Sequence, residues 1–562
     1  MSLLRVENLT YKYPGVEKAA LDGISFTVNK GEFIGIAGQN TAGKTTLCYA
    51  ISGLVPHFFK GCYGGNVYVD GMDVLSHDIS DITAKVGLVF ENPFSQMTGA
   101  KFTVYDEIAF GLENSGVSRK EMHERIQESM KLLDIESLKE QNPFALSGGQ
   151  LQRVAIASVI AMRPDILLLD EPTSQLDPHG AEEVFKVVES LTAQGMTILM
   201  AEQKMEKLAA YSDRILLLHE GKLIQDGSPA QVFSRDDITA YGVEPPVYSK
   251  VARKMDLRNT VNRLYPISAT DIKTVGLQNV QIIEQKTANP SSAEHTPKIL
   301  INGLKFGYDK KNQIFTELNM SLSGKPIAII GQNGAGKTTF VKLLKALLRP
   351  DAGTIHIDGV DTSTTSAAKL ASSIGLIFQN PNDQIFKNKV IDEVMFGPLN
   401  IGMPKEKAFE KAKEMLELVG LFNKAELNPY DLSLADRKMI ALASVLAMDT
   451  KIVLFDEPTM GQDYAGKMKI KEIIHSLYQQ GKLVICILHD MDFVANAFEQ
   501  TIIMSDGEIL YEGPTRKAFA QKEVLQKAKV EQPYITRLMQ DLGYEGIVLS
   551  EEEIHVLQHR NF

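Results

Sequence analysis

The clearest signal along the chain is a set of short, unbroken apolar runs that end on polar, chemistry-bearing residues. Ile327-Ala-Ile-Ile330 runs directly into glycines, and beyond them Phe340, Val341, Leu343, Leu344 and Leu347 follow a helical period. This predicts a buried strand, a tight loop and a helix. Ile166-Leu-Leu-Leu169 and Ile452-Val-Leu-Phe455 are also continuous, and each ends in Asp-Glu-Pro-Thr. Other segments alternate: Leu9-Thr-Tyr-Lys-Tyr13 and Leu304-Lys-Phe-Gly-Tyr308 read as half-buried strands. Val67-Tyr-Val-Asp-Gly71 and Ile355-His-Ile-Asp-Gly359 read as strands closed by turns. Between them lie amphipathic helices. Ser118 with Glu121 predicts a capping box, followed by a stripe of Met122, Ile126, Met130 and Leu133. Pro404 sits where a first turn would start, followed by Phe409, Met415, Leu416 and Val419. Continuous strands alternating with helices imply an α/β fold whose parallel sheet is covered on both faces.

The pattern occurs twice. Landmarks such as Gly38 and Gly331, Asp170 and Asp456, and Gly227 and Gly513 recur about 290 residues apart, with a small drift that implies loop insertions inside homologous halves. The Pro- and Ser-bearing stretch up to Pro297 has no periodicity and reads as a linker. The expected organisation is residues 1–280, a linker at 281–297, and residues 298–562. The net charge of -11 argues against a nucleic-acid binder, so no nucleic-acid partner is expected. Cys48, Cys62 and Cys486 have no metal or redox spacing and read as reduced core thiols in a cytosolic setting. No run approaches the ~18 apolar residues of a membrane span, so any membrane role must come through a partner.

The chemistry sits at the strand ends. Gly331-Gln-Asn333-Gly334-Ala-Gly336-Lys337-Thr338-Thr339 fits a phosphate-cradling loop, and Gly38-Gln-Asn40-Thr-Ala-Gly43-Lys44-Thr45-Thr46 repeats it. The glycines let backbone N–H groups close on the phosphates of a ligand. The lysine gives a point charge, the first threonine a hydroxyl for Mg2+, and the helix N-terminus a positive end. Asp170 and Asp456 stand where such sheets place ligands and can hold Mg2+ through water, while Glu171 and Glu457 can polarise an attacking water.

Leu146-Ser147-Gly148-Gly149-Gln150 followed by Leu-Gln-Arg resembles the signature of ABC ATPases, and the order of the motifs matches that family over nearly all of both halves. The resemblance implies two P-loop ABC nucleotide-binding domains, each with a mostly parallel core, an antiparallel β subdomain and a helical subdomain. Within the family, Phe378-Gln-Asn-Pro-Asn-Asp-Gln384 and Val390-Ile-Asp-Glu-Val-Met-Phe-Gly397 look like the ATPases of energy-coupling-factor (ECF) importers of vitamins and metals. Such importers carry two ATPases, which one fused chain would here supply. The resemblance implies integral membrane partners, namely transmembrane and substrate-binding components, and a peripheral place on the cytoplasmic face of the membrane. Phe94, Gln96, Gln384 and Phe386 are expected to line the groove that receives the partner.

Family geometry also implies head-to-tail pairing of the halves, each ATP lying between the Walker motifs of one half and the signature of the other. One site then comprises Tyr308 for adenine, Lys337, Thr338, Gln379 as a further Mg2+ ligand, Asp456, Glu457, His489 as switch and Ser147 to Gln150 in trans. It matches the family except at Met460-Gly-Gln-Asp463 in the D-loop position. The other has Tyr13, Lys44, Thr45, Asp170 and Glu171, but Glu91 replaces the Q-loop Gln and Gln203 the switch His. Its trans signature is Ser433-Leu434-Ala435-Asp436. Leu434 and Ala435 put Cβ atoms where glycines would let backbone approach, and Asp436 brings a like charge toward a polyanion, costing about 4 kcal/mol at 4 Å. The expectation is one competent site and one slow one. A soluble tandem ATPase of the ribosome-associated class is the rival reading. It typically has a long charged helical linker, unlike the short one here. A chromosome-maintenance ATPase would need heptad arms, which are lacking.

Overall fold

A computed structural model of the chain describes residues 2–174, 176–275, 280–282, 298–309 and 313–556. The chain divides into two compact units, Met1–Leu277 and Gln278–Phe562. The expected linker lies mostly outside the described residues. Its first two positions, Gln281 and Ile282, instead belong to a short strand, Val280–Ile282, paired antiparallel with Ile554–Val556 of the second unit.

Among the described residues the first unit has ten strands: β1 Leu4–Lys12, β2 Leu21–Val28, β3 Phe33–Ala37, β4 Cys62–Val69, β5 Met72–Asp73, β6 Val86–Val89, β7 Ile166–Asp170, β8 Thr197–Ala201, β9 Arg214–His219 and β10 Lys222–Gly227. Four form an antiparallel sheet in the order β2-β1-β4-β5. The others form a six-stranded sheet ordered β10-β9-β3-β8-β7-β6, parallel except for the edge strand β10. The second unit repeats both sheets with the same relative order: its six-stranded sheet places Ile374–Ile377, Ile452–Asp456, Leu483–Ile487, Ile327–Ile330, Gln500–Ser505 and Glu508–Pro514 side by side. Every residue of β3, β7 and β8 is buried, as the continuous apolar runs require when helices cover both faces.

The helical part of the first unit packs Val104–Asn114, Arg119–Leu132 and Gly148–Ala161 around Ile108, Leu112, Ile126, Met130, Leu151 and Val154. Ser118 caps its helix through the Glu121 N–H, but the reciprocal half of the expected capping box is replaced by a Glu121–Arg125 ion pair. In the second unit the helix Lys405–Leu418 buries Ala408, Ala412 and Leu416, spaced four apart. Phe409 lies one residue, about 100° of helix, off that line, and is 42% exposed rather than part of the stripe. Cys48 and Cys486 are core thiols; Cys62 is exposed, which corrects the expectation for that residue.

Each unit ends in a helical extension beyond its six-stranded sheet. In the second unit this region is anchored by Arg516, which donates to the Ile547 carbonyl and to both oxygens of the buried Glu553 carboxylate. Removing one partner of a buried ion pair leaves an uncompensated charge. Glu553→Ala should therefore destabilise the second unit by about 3 kcal/mol, read as a lower urea midpoint for the transition of that unit.

Candidate functional site

Each phosphate loop lies at the carboxyl end of the central strand of its six-stranded sheet, where two neighbouring strands leave a crevice. Gly331 (φ +152°) and Gly38 (φ +155°) begin the loops. A Cβ on Gly331 would stand 2.1 Å from the Met504 carbonyl oxygen, and one on Gly38 2.4 Å from that of Leu218, so neither position admits a side chain. Gly336 and Gly43 are left-handed and open the helices Lys337–Leu344 and Lys44–Ile51. The halves differ in mid-loop: where the second has Gly334 (φ +83°), the first has Thr41 (φ +66°), a branched residue held in a strained conformation. Lys337 Nζ donates to the carbonyls of Gly331 and Gln332 at 2.8 Å each, and Lys44 Nζ to those of Gly38 and Gln39 at 2.9 and 3.0 Å. Both lysines are buried, so their charges are set at the loop before any ligand arrives. Tyr13 and Tyr308 hydrogen-bond Thr46 and Thr339 at 3.3 and 3.2 Å, which places both rings beside the first helical turn.

Asp170 and Asp456 are buried at their strand ends and accept from Thr45 and Thr338 at 3.1 and 3.5 Å. Burial first, and then the adjacent glutamate, pushes each aspartate up to about 6. A threonine hydroxyl beside a carboxylate is a hard oxygen pair suited to Mg2+, which keeps most of its shell as water and phosphate oxygens. Among the described residues no group of three or more His, Cys, Asp or Glu is placed to hold a metal ion. Glu171 (φ +47°) and Glu457 (φ +52°) share an uncommon left-handed backbone. The strain recurs in both halves and turns each glutamate toward its loop.

Around these glutamates the halves diverge. Glu457 Oε2 accepts from Gln379 Nε2 at 3.0 Å, and Glu457 Oε1 lies 2.9 Å from His489 Nε2, a contact that is an ion pair when the histidine is protonated. Burial raises the Glu457 carboxyl, but His489, Lys337 and Lys438 outweigh it and hold it below the usual carboxylate range. Glu171 is instead clamped between Lys44 Nζ at 3.1 Å and Gln203 Nε2 at 2.9 Å, and Gln203 also donates to Asn40 at 2.9 Å. Glu91 accepts from Ser174 at 3.4 Å and shares the electrostatic environment of Asp170, Glu171 and Lys44. Glu202 did not stand out in the sequence. It is buried, accepts from Thr173 Oγ1 at 2.6 Å and from the Gln203 and Lys204 N–H groups, and so holds the backbone of the switch position. Aligning the halves would have revealed it, because its counterpart is the buried apolar Leu488.

Ser147 caps the helix Gly148–Ala161 in a full capping box with Gln150, with Gly148 and Gly149 as its first two residues. Ser433 caps Leu434–Leu446 through the Asp436 N–H. The Asp436 carboxylate pairs with Lys424 at 2.8 Å, so its charge is largely balanced within its own unit, which weakens the like-charge argument made for it. Gln96 and Gln384, both half-buried, each join a strand end to the signature helix, through Phe90 N–H and the Ala155 carbonyl, or Phe378 N–H and the Ala441 carbonyl. Phe94 and Phe386 are about half exposed.

Two nucleotide-binding sheets with phosphate loops, strand-end carboxylates and signature helices define a tandem ATPase. The family model described as "ABC transporter" matches residues 21–174 and 315–460. A relative from Methanosarcina acetivorans, named as an ABC transporter ATP-binding protein, is 35% identical over 97% of this chain and 91% of its own length. Another, from Caldanaerobacter subterraneus, is 36% identical over 97% of each chain. Among solved structures, cbiO1 of Clostridium perfringens, part of the ABC transporter complex cbiONQ, is 30% identical; the match covers 43% of this chain and 99% of that one, with a TM-score of 0.38. The chain belongs to the ABC transporter family and is an ATPase of that family.

Burial, followed by the charges of Glu171 and Asp170, pushes Glu91 up to about 7 from an ordinary value of 4.5. Between those pH values the folded chain holds a proton that the unfolded chain has released, so stability falls as pH rises and levels off above about 7. Glu91→Gln removes this penalty. Without nucleotide and in EDTA, the variant should melt a few degrees above the parent at pH 8, the gap closing toward pH 5 in thermal scans.

Proposed function

We propose that the chain is the ATP-binding and ATP-hydrolysing subunit of an ECF-type importer of a vitamin, vitamin precursor or metal, peripheral to the cytoplasmic face of the membrane. Among the described residues no helix is long and apolar enough to cross a membrane, so the transmembrane path would belong to partner subunits. The Q-loop and following segments carry the resemblance to that class, and the half-exposed Phe94 and Phe386 beside them are apolar surface suited to a partner.

In this reading the halves pair head to tail, and the site built on the second half performs most turnover. The observation that carries it is the environment of the two glutamates. Glu457 is held ionised, with Gln379 and His489 on its two oxygens, so it can accept hydrogen bonds from a water aimed at the γ-phosphate. Lys337 holds the outer phosphates, and the Gly331–Lys337 backbone closes around them. Mg2+, when bound, neutralises phosphate charge. Thr338, Asp456 and Gln379 would hold it, as Thr45 and Asp170 would in the first half. Ser147 to Gln150 would complete this site in trans, and Ser433 the other.

In the first half the partners of Glu171 are Lys44, the loop lysine itself, and the neutral Gln203. Gln203 cannot carry the positive charge available to a histidine, and Glu91 adds a carboxylate beside Asp170. This site binds ATP and turns it over slowly. Binding closes the halves and hydrolysis opens them, because ATP has different affinity for the two arrangements.

Steady-state hydrolysis should discriminate the glutamates: Glu457→Gln lowers kcat about 10²-fold or more, whereas Glu171→Gln leaves it within about threefold. Equal losses overturn the asymmetry. Co-purification in detergent with integral membrane proteins supports the importer reading, whereas co-sedimentation with ribosomes replaces it with the soluble alternative.

A further inference from the structure

The helical extension at the end of each unit touches the nucleotide site at two corresponding places in both halves, the first by the same hydrogen bond. In the second unit the first N–H of the helix Tyr534–Asp541 donates to Asp492 Oδ1 at 2.9 Å. Asp492 lies in the first turn of the short helix Met491–Ala497, which begins two residues after His489. In the first unit the N–H of Val247, which starts the helix Val247–Lys254, donates to Glu206 Oε1 at 3.1 Å. Glu206 lies in the first turn of Met205–Tyr211, which follows Gln203 at the same spacing. Different acids of different length thus make the same link in the two halves.

The second contact is with the phosphate loop. Gln332 N–H, in the loop that carries Lys337, donates to the Ala528 carbonyl of the extension at 3.1 Å. In the first half the corresponding neighbour of Gln39 is Gly242 (φ +71°), whose added Cβ would come within 2.4 Å of the Gln39 Cβ. The extension also shares its core with the switch helix: Val494, Ala495 and Phe498 belong to one buried cluster with Phe519, Leu525 and Ala528.

A helix of seven residues has little stability of its own, so its orientation is set by what pins its ends. Two acids do this here. Asp490 caps the helix through the Phe493 N–H at 3.0 Å and pairs with Lys467 at 2.6 Å, while Asp492 reaches the extension. His489 stands directly before both, 2.9 Å from Glu457. We propose that Asp492 is a positioning residue for the second-half site: by holding the Tyr534 N–H it sets where His489 stands against Glu457, and makes the carboxy-terminal extension a brace between switch helix and phosphate loop. This rests on the reading that the second-half site performs most turnover.

The test uses the full chain in steady-state ATP hydrolysis. Asp492→Ala lowers kcat about tenfold with KM for ATP within about twofold, because a displacement of the order of 1 Å at a reacting group acts on the chemical step. Asp492→Asn keeps an acceptor oxygen for Tyr534 and retains at least about half of kcat. Glu206→Ala leaves kcat within about twofold, since its half contributes little turnover. A fall in melting temperature with unchanged kcat per active molecule for Asp492→Ala overturns the proposal. Equal kcat losses from Asp492→Ala and Glu206→Ala support the brace and overturn the asymmetry instead. If Asp492→Ala does not fold, hydrogen exchange on the Glu457→Gln chain decides. Altered protection of the Tyr534–Asp541 amides when ATP and Mg2+ are added supports the brace, and unaltered protection overturns it.

Discussion

The whole arrangement depends on keeping several charges buried at the end of a parallel sheet. A lysine and two carboxylates in each half lose hydration there, and such a loss is tolerated only when every group finds a partner. The lysines meet this by donating to carbonyls of their own loop, and the aspartates by accepting from the first threonine of the following helix. These links tie the central strand, the loop, the helix and the neighbouring strands into one block. The strained backbone shared by Glu171 and Glu457 persists because that block determines it from several sides.

Within the same block, the two halves balance the glutamate at the strand end differently. In the second, a histidine and a glutamine outside the loop lie on its two oxygens, and the lysine adds its charge to the field that lowers the carboxyl. In the first, the lysine itself and a neutral glutamine take them, and two further carboxylates, Glu91 and Glu202, occupy places where the second half has a glutamine and a leucine. The scaffold is alike in both halves because the same lysine, threonine and aspartate tie the loop to the sheet, whereas the side chains around the glutamate differ and adjust the field there.

The two helical extensions place the same logic at the edge of each unit. An acid in the first turn of the switch helix satisfies the otherwise orphaned N–H of a distant helix. Since the acid is Glu in one half and Asp in the other, the link is kept by geometry rather than by residue identity. The region gave little warning in the sequence: a single acid near a proline-led helix has no motif, and its partner lies about forty residues away.

Much of the fold and the centre of each site could be read from the chain alone. The phosphate loop is local: its glycines, lysine and threonine are consecutive, and backbone geometry dictates what they can hold. Continuous apolar strands ending in Asp-Glu likewise announce a parallel sheet, because only strands buried on both faces can be apolar throughout. What sequence could not decide was which side chains meet across tens of residues. Asp436 looked like a free charge, yet Lys424 balances it; Phe409 looked like core, yet the buried stripe runs one residue away. Glu202 and Asp492 acquire meaning only from partners supplied by other elements. Local backbone chemistry is written consecutively, whereas the pairing of buried charges depends on which elements the fold brings together.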